Sequence, residues 1–391
     1  MTTNSLKKLI AAAVITITVI MAIASSWNDS QIVDEIPHTG AAYSYVAKQD
    51  MRLNPEHPPL VKDLAGIPLL FLNLKQGAFQ SSFWQQDVNG QWDFGRLLIY
   101  NSGNNADLIK HFARLPMILF FILSAVLIFK WARKLYGDFA AFTALILFCF
   151  SSTIIAHSRF VTTDMAALFG AFFAIYFFLK YLRKPNWKNL IIASLFFGIA
   201  MLLKFSTVLL GPLFLVLAIT YGFVAGQKKI ICTGKNIICT ILIFIIGFLF
   251  VVWPVYYFNT YNYPPQRQLR DTQSILTTVY GESYTKYSPI LNIVVKSSTN
   301  PLLRPLAWYS TGLLRVLHQT SEPHEVYFLG QINLYGDRAY FPIVYFIKEP
   351  LAWWGLVVMA LLYLGWQFKK TSKGPAPRGL GFFKTISMNL Q

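Results

Sequence analysis

The stretch from Phe112 to Trp131, FARLPMILFFILSAVLIFKW, is an almost continuous apolar run. A helix of about 20 such residues is long enough to cross a hydrocarbon core of roughly 30 Å. Similar runs recur along the chain, which is 55% hydrophobic and only 13% charged over 391 residues, unlike an ordinary soluble domain. The sequence therefore predicts an all-α polytopic integral membrane protein with about eight transmembrane helices, which we place at 9–26, 112–131, 139–157, 164–182, 190–203, 206–224, 236–257 and 350–367.

The basic residues behind the net charge of +17 cluster in loops on one predicted side of the membrane. Of the 17 Asp and Glu residues, only Asp138 falls on that side. The positive-inside rule makes this side cytoplasmic, so both termini are predicted to be cytoplasmic. Any chemistry that needs carboxylates is predicted to take place on the opposite, extracytoplasmic side. No nucleic-acid motif accompanies the charge. The basic clusters are Lys7/Lys8, Lys130/Arg133/Lys134, Lys180/Arg183/Lys184/Lys188, Lys228/Lys229/Lys235 and Lys369/Lys370/Lys373/Arg378.

Residues 1–370 are predicted to form one membrane module, followed by a cytoplasmic tail at 371–391. Two polar stretches, 27–111 and 258–345, interrupt the apolar runs and are predicted to be large outer loops. The first run follows NSLKK and ends in IMAIASS, a pattern shared with cleaved signal peptides. We nevertheless predict that it is retained as a helix, because eight crossings place all the basic loop clusters on one side without removing it. The three cysteines have neither disulfide nor zinc spacing and are predicted to be packing residues.

Acidic and titratable residues follow the first predicted helix. Asp34 and Glu35 are adjacent in IVDEIPHTG, where they are either solvated loop charges or a catalytic pair. Further on, the stretch 54–60, NPEHPPL, holds His57 between prolines, and Lys62 follows it. Because proline fixes its own φ and restricts the preceding residue, this stretch is predicted to present His57 rigidly.

A second acid, Asp164, lies at the outer end of the fourth predicted helix, in SRFVTTDMAAL. It could cap the following helix, as could Thr163, but an acid at membrane depth also marks a functional site, with Arg159 as its nearest candidate partner. Arg114 and Lys204 occupy similar outer positions. Each either extends towards lipid headgroups or contributes to a site for a phosphate.

Several motifs occur in an order that resembles a known family: the DE pair, HPPL with a following lysine, an arginine before the second helix, SRFVTTD, and YFLGQINLYGDRAYFPIVYFIKEPL. The chain resembles the polyprenyl-phosphate-sugar-dependent glycosyltransferases of the GT-C fold. It is most similar to the dolichyl-phosphate-mannose protein mannosyltransferase family, and more distantly to the lipid A aminoarabinose transferases. The resemblance covers about residues 1–370 and implies a GT-C-like helical bundle.

The resemblance also implies roles for individual residues. Asp34 would be the general base that deprotonates the acceptor, Glu35 would orient it, and Asp164 would organise the catalytic site. Asp34 and Asp164 are also the candidate ligands of a divalent cation, Mg²⁺ or Mn²⁺, if the site uses one. The donor phosphate would be bound by cations or by a hydrogen-bonding imidazole, at His57, Lys62, Arg114, Arg159 and Lys348. Tyr340, Phe341 and Pro342 would either shape the lipid groove or belong to an ordinary aromatic belt at the membrane interface.

The implied activity is inverting transfer of one sugar from a polyprenyl-phosphate carrier to a hydroxyl of a protein, lipid or glycan on the outer face of a bacterial or archaeal cell membrane. Relatives continue with more helices and often an outer domain, so this chain is predicted to be truncated relative to the family. Two other functions remain open: a transporter or flippase of a polyprenyl-linked sugar, and a non-catalytic cell-envelope scaffold. A transporter would usually carry paired repeats, and we find no second copy of the first half.

Overall fold

The computed structural model describes residues 3–225, 229–323 and 325–371. Its helices up to the middle of the chain are α1 Thr3–Ser26, α2 Glu35–Lys48, α3 Leu60–Gly66, α4 Ser82–Gln85, α5 Gln91–Arg96, α6 Ala106–Cys149, α7 Ser152–Ser158, α8 Asp164–Arg183 and α9 Trp187–Leu203. They continue with α10 Leu210–Ala225, α11 Lys229–Gly247, α12 Trp253–Thr260, α13 Pro265–Tyr280, α14 Tyr284–Ser297, α15 Arg304–Gln319, α16 Tyr340–Lys348 and α17 Leu351–Thr371. Short 3₁₀ and π turns join several of them, at Ile67–Leu72, Gly77–Gln80, Leu97–Asn101, Phe205–Leu209, Phe248–Val252 and Gly281–Ser283.

One strand pair departs from the predicted all-α class. Strands β1 (Val326–Phe328) and β2 (Gln331–Asn333) pair antiparallel. Leu329 and Gly330 connect them, and both have positive φ, at 49° and 88°. A two-residue connection with positive φ at both positions matches the twist of a β-hairpin.

Within the described residues, five helical segments are long and apolar enough to cross a membrane, or six if a bent pair forms one span. The bent pair consists of α16 and the segment Leu351–Trp366 of α17, and the angle between the two is 104°. Every predicted crossing overlaps a helix, but the helix Trp187–Leu203 is shorter than a full span. The count of eight therefore remains a prediction. The five segments are Asn4–Ser26, Ala106–Cys149, Asp164–Arg183, Phe205–Val224 and Ile230–Thr260.

Helix α6 is interrupted at Gly137, whose φ of 84° and ψ of −172° are not helical. The two predicted crossings 112–131 and 139–157 lie on either side of this residue. Glycine adopts positive φ without the steric penalty of a Cβ atom, so the chain can change direction here.

The chain divides into two compact units. The first unit comprises the described parts of 1–26, 122–158 and 323–391, and the second comprises 27–121 and 159–322. The boundaries of the predicted module and outer loops remain predictions. The predicted tail, 371–391, lies outside the described residues except for its first residue.

Close backbone approaches hold the polar part of the second unit together. A Cβ atom on Gly40 of α2 would come within 2.7 Å of Gly95 Cα in α5, and one on Gly66 of α3 within 2.2 Å of the Ala42 carbonyl oxygen. Real Cβ atoms do not reach these distances, so glycine is required for α2 to pack against both neighbours. This packing fixes the start of α2, where Asp34 and Glu35 lie.

Candidate active site

The site begins at the first turn of α2. Asp34 is the N-cap residue of this helix, but its carboxylate makes no capping hydrogen bond and has no partner among the described residues. The side chain is exposed and lines a cavity of about 220 Å³ in the second unit. A negative charge at a helix N-terminus interacts favourably with the helix dipole. Asp34 therefore offers an available carboxylate to whatever enters the cavity.

Glu35, the adjacent acid, has the opposite environment and is fully buried. Arg114 of α6 donates to it through two nitrogens, Nε to Oε1 at 2.8 Å and Nη2 to Oε2 at 2.5 Å. The backbone N–H groups of Val161 and Ile32 donate to the same carboxylate at 2.9 and 3.0 Å. Glu35 therefore ties together the start of α2, the start of α6 and the loop before α8.

The loop NPEHPPL is held by side chains as well as by its prolines. Lys62 Nζ donates to Asn54 Oδ1 and to the His57 carbonyl oxygen, both at 2.8 Å. Gln91 Nε2 donates to Glu56 Oε1 at 2.6 Å. On the other side, a Cβ atom on Gly312 of α15 would come within 2.2 Å of the Pro55 carbonyl oxygen. These contacts fix the direction in which the loop presents Glu56 and His57 to the cavity.

Two imidazoles lie side by side in the cavity wall. The ring centroids of His38 and His57 are 4.9 Å apart, and His38 Nδ1 is buried with no partner in the part of the chain that the structure describes. Burial lowers the pKa of His57 to about 3, and Lys62 and Lys204 add to the shift. Burial, followed by the charge of Lys62, also lowers the pKa of His38 well below its usual value. Both rings are therefore neutral near pH 7, and His57 can contribute a hydrogen bond but not a positive charge.

The cation that reaches the cavity is Lys204. Its Nζ lies 2.7 Å from Asp164 Oδ1, and both side chains are partly exposed, at 29% and 45%. Lys204 directly follows α9, and Asp164 is the first residue of α8. The site thus combines a carboxylate available for base chemistry with an ion pair whose lysine can also approach an anion.

The structure brings three of the predicted residues, Asp34, His57 and Asp164, to one cavity. The remaining lining residues are Pro37, His38, Asn54, Glu56, Gln91, Trp92, Thr162, Thr163 and Lys204.

Other predicted residues of the second unit lie behind this lining. Lys62 is fully buried and holds the loop, Arg114 binds Glu35, and Arg159 Nη1 pairs with Asp29 Oδ2 at 3.2 Å. Their predicted role in phosphate binding remains a prediction.

The predicted lipid-groove residues belong to the first unit. Tyr340 packs against Phe328, with ring centroids 5.5 Å apart, and Phe341, Pro342 and Lys348 are exposed along α16. Their predicted roles in binding the lipid chain and the phosphate also remain predictions.

The family resemblance implied no role for Lys204, Glu56 or His38. Lys204 carried a usable signal, because a lysine between two apolar runs, AMLLKFSTVLLGP, needs a partner at membrane depth. Glu56 shares the proline-held stretch of His57. His38 carried no such signal, because a single histidine in a polar segment is common and only the fold turns it towards the cavity.

The donor set does not fit a tightly held metal ion. Among the described residues there is no group of three or more His, Cys, Asp or Glu side chains that could hold one. Of the two candidate ligands, Asp34 and Asp164, the second already contacts the ammonium of Lys204, which would repel a divalent cation.

Comparison with protein families adds an independent observation. Residues 110–253 match the family model of dolichyl-phosphate-mannose-protein mannosyltransferases. This match confirms the resemblance to that family over this part of the chain. It includes Arg114, Arg159, Asp164 and Lys204, whereas Asp34 and His57 precede it.

The chain is also similar to a solved structure of the S. cerevisiae protein O-mannosyltransferase Pmt1–Pmt2 complex bound to the sugar donor. The identity is 20% and the TM-score 0.48, over 66% of this chain and 34% of the yeast chain. The chain thus spans about a third of the length of that relative. No curated protein sequence matches it.

Proposed function

We propose that this protein is a membrane glycosyltransferase that moves one sugar, mannose or a similar hexose, from a polyprenyl-phosphate carrier to a hydroxyl acceptor, with inversion. The observation that carries the proposal is the shared cavity: the available carboxylate of Asp34 and the ion pair of Lys204 with Asp164 line the same space of about 220 Å³. Pockets for drug-sized ligands have about 300–1,000 Å³, so this size suits a single sugar. The family match over residues 110–253 supports the same donor class.

In the proposed reaction, Asp34 accepts the proton of the acceptor hydroxyl as that oxygen attacks the anomeric carbon. A carboxylate is sufficient because the hydroxyl becomes acidic only in the transition state. The bond between the anomeric carbon and the phosphate oxygen breaks at the same time. Inversion requires attack from the face opposite the phosphate, so the acceptor and the phosphate flank the sugar.

The leaving polyprenyl phosphate departs as an anion and needs no general acid. Lys204 is our candidate for stabilising its developing charge, with Asp164 holding the ammonium in place until the donor binds. The neutral ring of His57 would donate a hydrogen bond to the same anion. Fixed donors aimed at developing charge are often the largest contribution of an enzyme to catalysis.

The proposal includes a GT-C-like bundle of eight spans, with the cavity on the extracytoplasmic face and both termini cytoplasmic. The support for this orientation is the distribution of Lys and Arg among the loops. The acceptor is a hydroxyl of a protein, lipid or glycan.

Membranes that contain the full chain provide the test. They are supplied with radiolabelled mannosyl polyprenyl phosphate, and label is measured in the protease-sensitive and lipid fractions. We expect Asp34→Asn to lower the initial rate by about 10²- to 10⁴-fold, the usual contribution of general base catalysis. The matched control is Asp93→Asn, which changes an exposed acid of the same loop that does not line the cavity. Unchanged transfer in Asp34→Asn, or no transfer by the wild-type chain, would contradict the proposal.

A further inference from the structure

The first unit contains a second, larger cavity, a groove of about 720 Å³ between α1 and α6. One face of each helix forms its walls. The apolar part is lined by small and branched side chains together with one phenylalanine. They include Ala12, Ile15 and Val19 of α1, and Ile122, Val126 and Phe129 of α6.

All four charged residues that line the groove are basic, and they lie at one end of it. Lys8 is in the second turn of α1, and Lys130, Arg133 and Lys134 share one face of α6. The two helices run antiparallel here, because Lys7 Nζ lies 2.6 Å from Asp138 Oδ2, and Arg133 donates to Asn4 Oδ1 at 2.9 Å. The start of α1 is therefore level with the basic part of α6, and Val19 is level with Ile122.

The nearby acid does not neutralise this end. Asp138 is already paired with Lys7 and with Arg133 Nε, the latter at 2.6 Å. No ion pair joins Lys8, Lys130 or Lys134 to an acid within the described ranges 3–225, 229–323 and 325–371. Three ammonium groups thus surround the end of an apolar groove and have no protein counter-charge there.

We infer that this groove binds an anionic phospholipid, with an acyl chain between α1 and α6 and its phosphate at Lys8, Lys130 and Lys134. The lining of α1 from Lys8 to Val19 rises about 16 Å at 1.5 Å per residue. That length matches one leaflet of a hydrocarbon core of about 30 Å, which favours a phospholipid over a much longer polyprenyl chain. Basic pockets between transmembrane helices bind anionic headgroups on the cytoplasmic side, where the loop charges place this end.

This inference is independent of the proposed transfer reaction, since the groove shares no residue with the candidate active site. Its occupant would be a resident lipid of the cytoplasmic leaflet. The bound headgroup would neutralise cations that otherwise repel one another at the junction of α1 and α6.

Native mass spectrometry of the purified full chain in neutral detergent tests the inference, with equal amounts of phosphatidylglycerol and phosphatidylcholine added. We expect the wild type to retain about tenfold or more phosphatidylglycerol over phosphatidylcholine, because each lysine near an anionic headgroup contributes a severalfold factor in affinity. The combined variant Lys8→Gln, Lys130→Gln and Lys134→Gln should retain both lipids about equally. Its matched control neutralises three exposed lysines that do not line the groove, Lys180→Gln, Lys184→Gln and Lys188→Gln.

A second pair of variants tests the apolar part without changing any charge. Ala12 and Ala13 are both exposed neighbours on α1, but only Ala12 lines the groove. We expect Ala12→Phe to fill the groove and lower phosphatidylglycerol retention severalfold, and Ala13→Phe to leave it unchanged. Equal retention of the two lipids by the wild type, or unchanged retention in both the lysine variant and Ala12→Phe, would overturn the inference. Displacement of phosphatidylglycerol by an equimolar amount of undecaprenyl phosphate would overturn the assignment to a phospholipid.

Discussion

Glu35 and Arg114 form a buried bidentate ion pair, with Arg114 Nε 2.8 Å from Oε1 and Nη2 2.5 Å from Oε2. Both side chains are nearly inaccessible to solvent, at 0% and 6% exposed. The pair links two segments that are far apart in the chain, the turn after α1 and the start of α6. Because the Val161 N–H also donates to Glu35, the pair positions Asp34, the neighbour of Glu35, relative to the loop before α8, which begins at Asp164.

Breaking this pair should destabilise the fold. Removing one partner of a buried ion pair typically costs about 3–5 kcal/mol, because the other charge stays buried and unpaired. We expect Glu35→Gln to lower the thermal unfolding midpoint in detergent by several degrees. Arg114→Lys keeps the charge but loses the bidentate geometry, so it should lower the midpoint by less. Arg96→Lys is the matched control, since Arg96 belongs to an exposed pair with Asp93 at 3.9 Å and should change little.

The same variant separates two roles of Arg114. If Arg114 also binds the donor phosphate, as the resemblance implies, Arg114→Lys should raise KM for the lipid donor in addition to lowering the unfolding midpoint. A lowered midpoint with unchanged KM would assign it a positioning role.

The substitution Gly312→Ala tests how tightly the loop NPEHPPL is held. The added Cβ atom would come within 2.2 Å of the Pro55 carbonyl oxygen, so the loop or α15 must shift. We expect a loss of about 1–3 kcal/mol of stability, the usual effect of overpacking, and a lower transfer rate. Gly234→Ala is the control, because a Cβ atom there meets no atom within 4 Å and alanine favours a helix. Equal unfolding midpoints for the two variants would argue against a tightly packed loop.

The protonation of His57 gives a test by pH profile. Because its pKa is lowered to about 3, the ring is neutral from pH 5 to 8 and should act only as a hydrogen-bond donor. We expect His57→Gln, which keeps a neutral donor, to retain activity within about tenfold, and its pH profile between pH 5 and 7.5 to match that of the wild type. Loss of an inflection near pH 6.5 in His57→Gln would show that the working ring carries a proton.

Lys62 should make stability depend on pH in the alkaline range. Burial lowers its pKa from 10.5 to about 7, so the unfolded chain binds more protons than the folded chain between these values. The contribution of Lys62 to the free energy of unfolding therefore rises with pH from about 7 to 10.5. Between pH 7 and pH 9.5, the unfolding midpoint of the Lys62→Met variant should therefore rise less, or fall more, than that of the wild type. The exposed Lys75, changed to Met, should leave that pH dependence as in the wild type.

Neutralising Lys204 should impair transfer more than folding. A donor aimed at developing negative charge typically contributes about 10²- to 10³-fold in rate, so we expect a loss of that size in Lys204→Gln, with partial recovery in Lys204→Arg. Because the ion pair with Asp164 is partly exposed, the unfolding midpoint should change little. A rate within twofold of wild type in Lys204→Gln would remove this lysine from the reaction.

The sequence by itself determined the apolar helices, because a span of about 20 apolar residues is a local property of composition. It also marked Asp34, His57 and Asp164 as candidates, and these three line one cavity. The family resemblance, which rests on local motifs, was confirmed over residues 110–253. The break at Gly137 and the hairpin at Leu329 and Gly330 were less visible, since each depends on the backbone conformation of one or two residues.

Only the tertiary structure decided which charges face the cavity. The sequence predicts both Arg114 and Lys204 to be cations near the outer face. In the structure, Arg114 is buried against Glu35, whereas Lys204 lines the cavity together with Asp164. Lys62, a third predicted cation, donates hydrogen bonds to the Asn54 side-chain oxygen and the His57 carbonyl oxygen of the loop and does not line the cavity. Desolvation and pairing depend on neighbours that are distant in the chain, 126 residues apart in the case of Glu35 and Val161, and no local pattern encodes them.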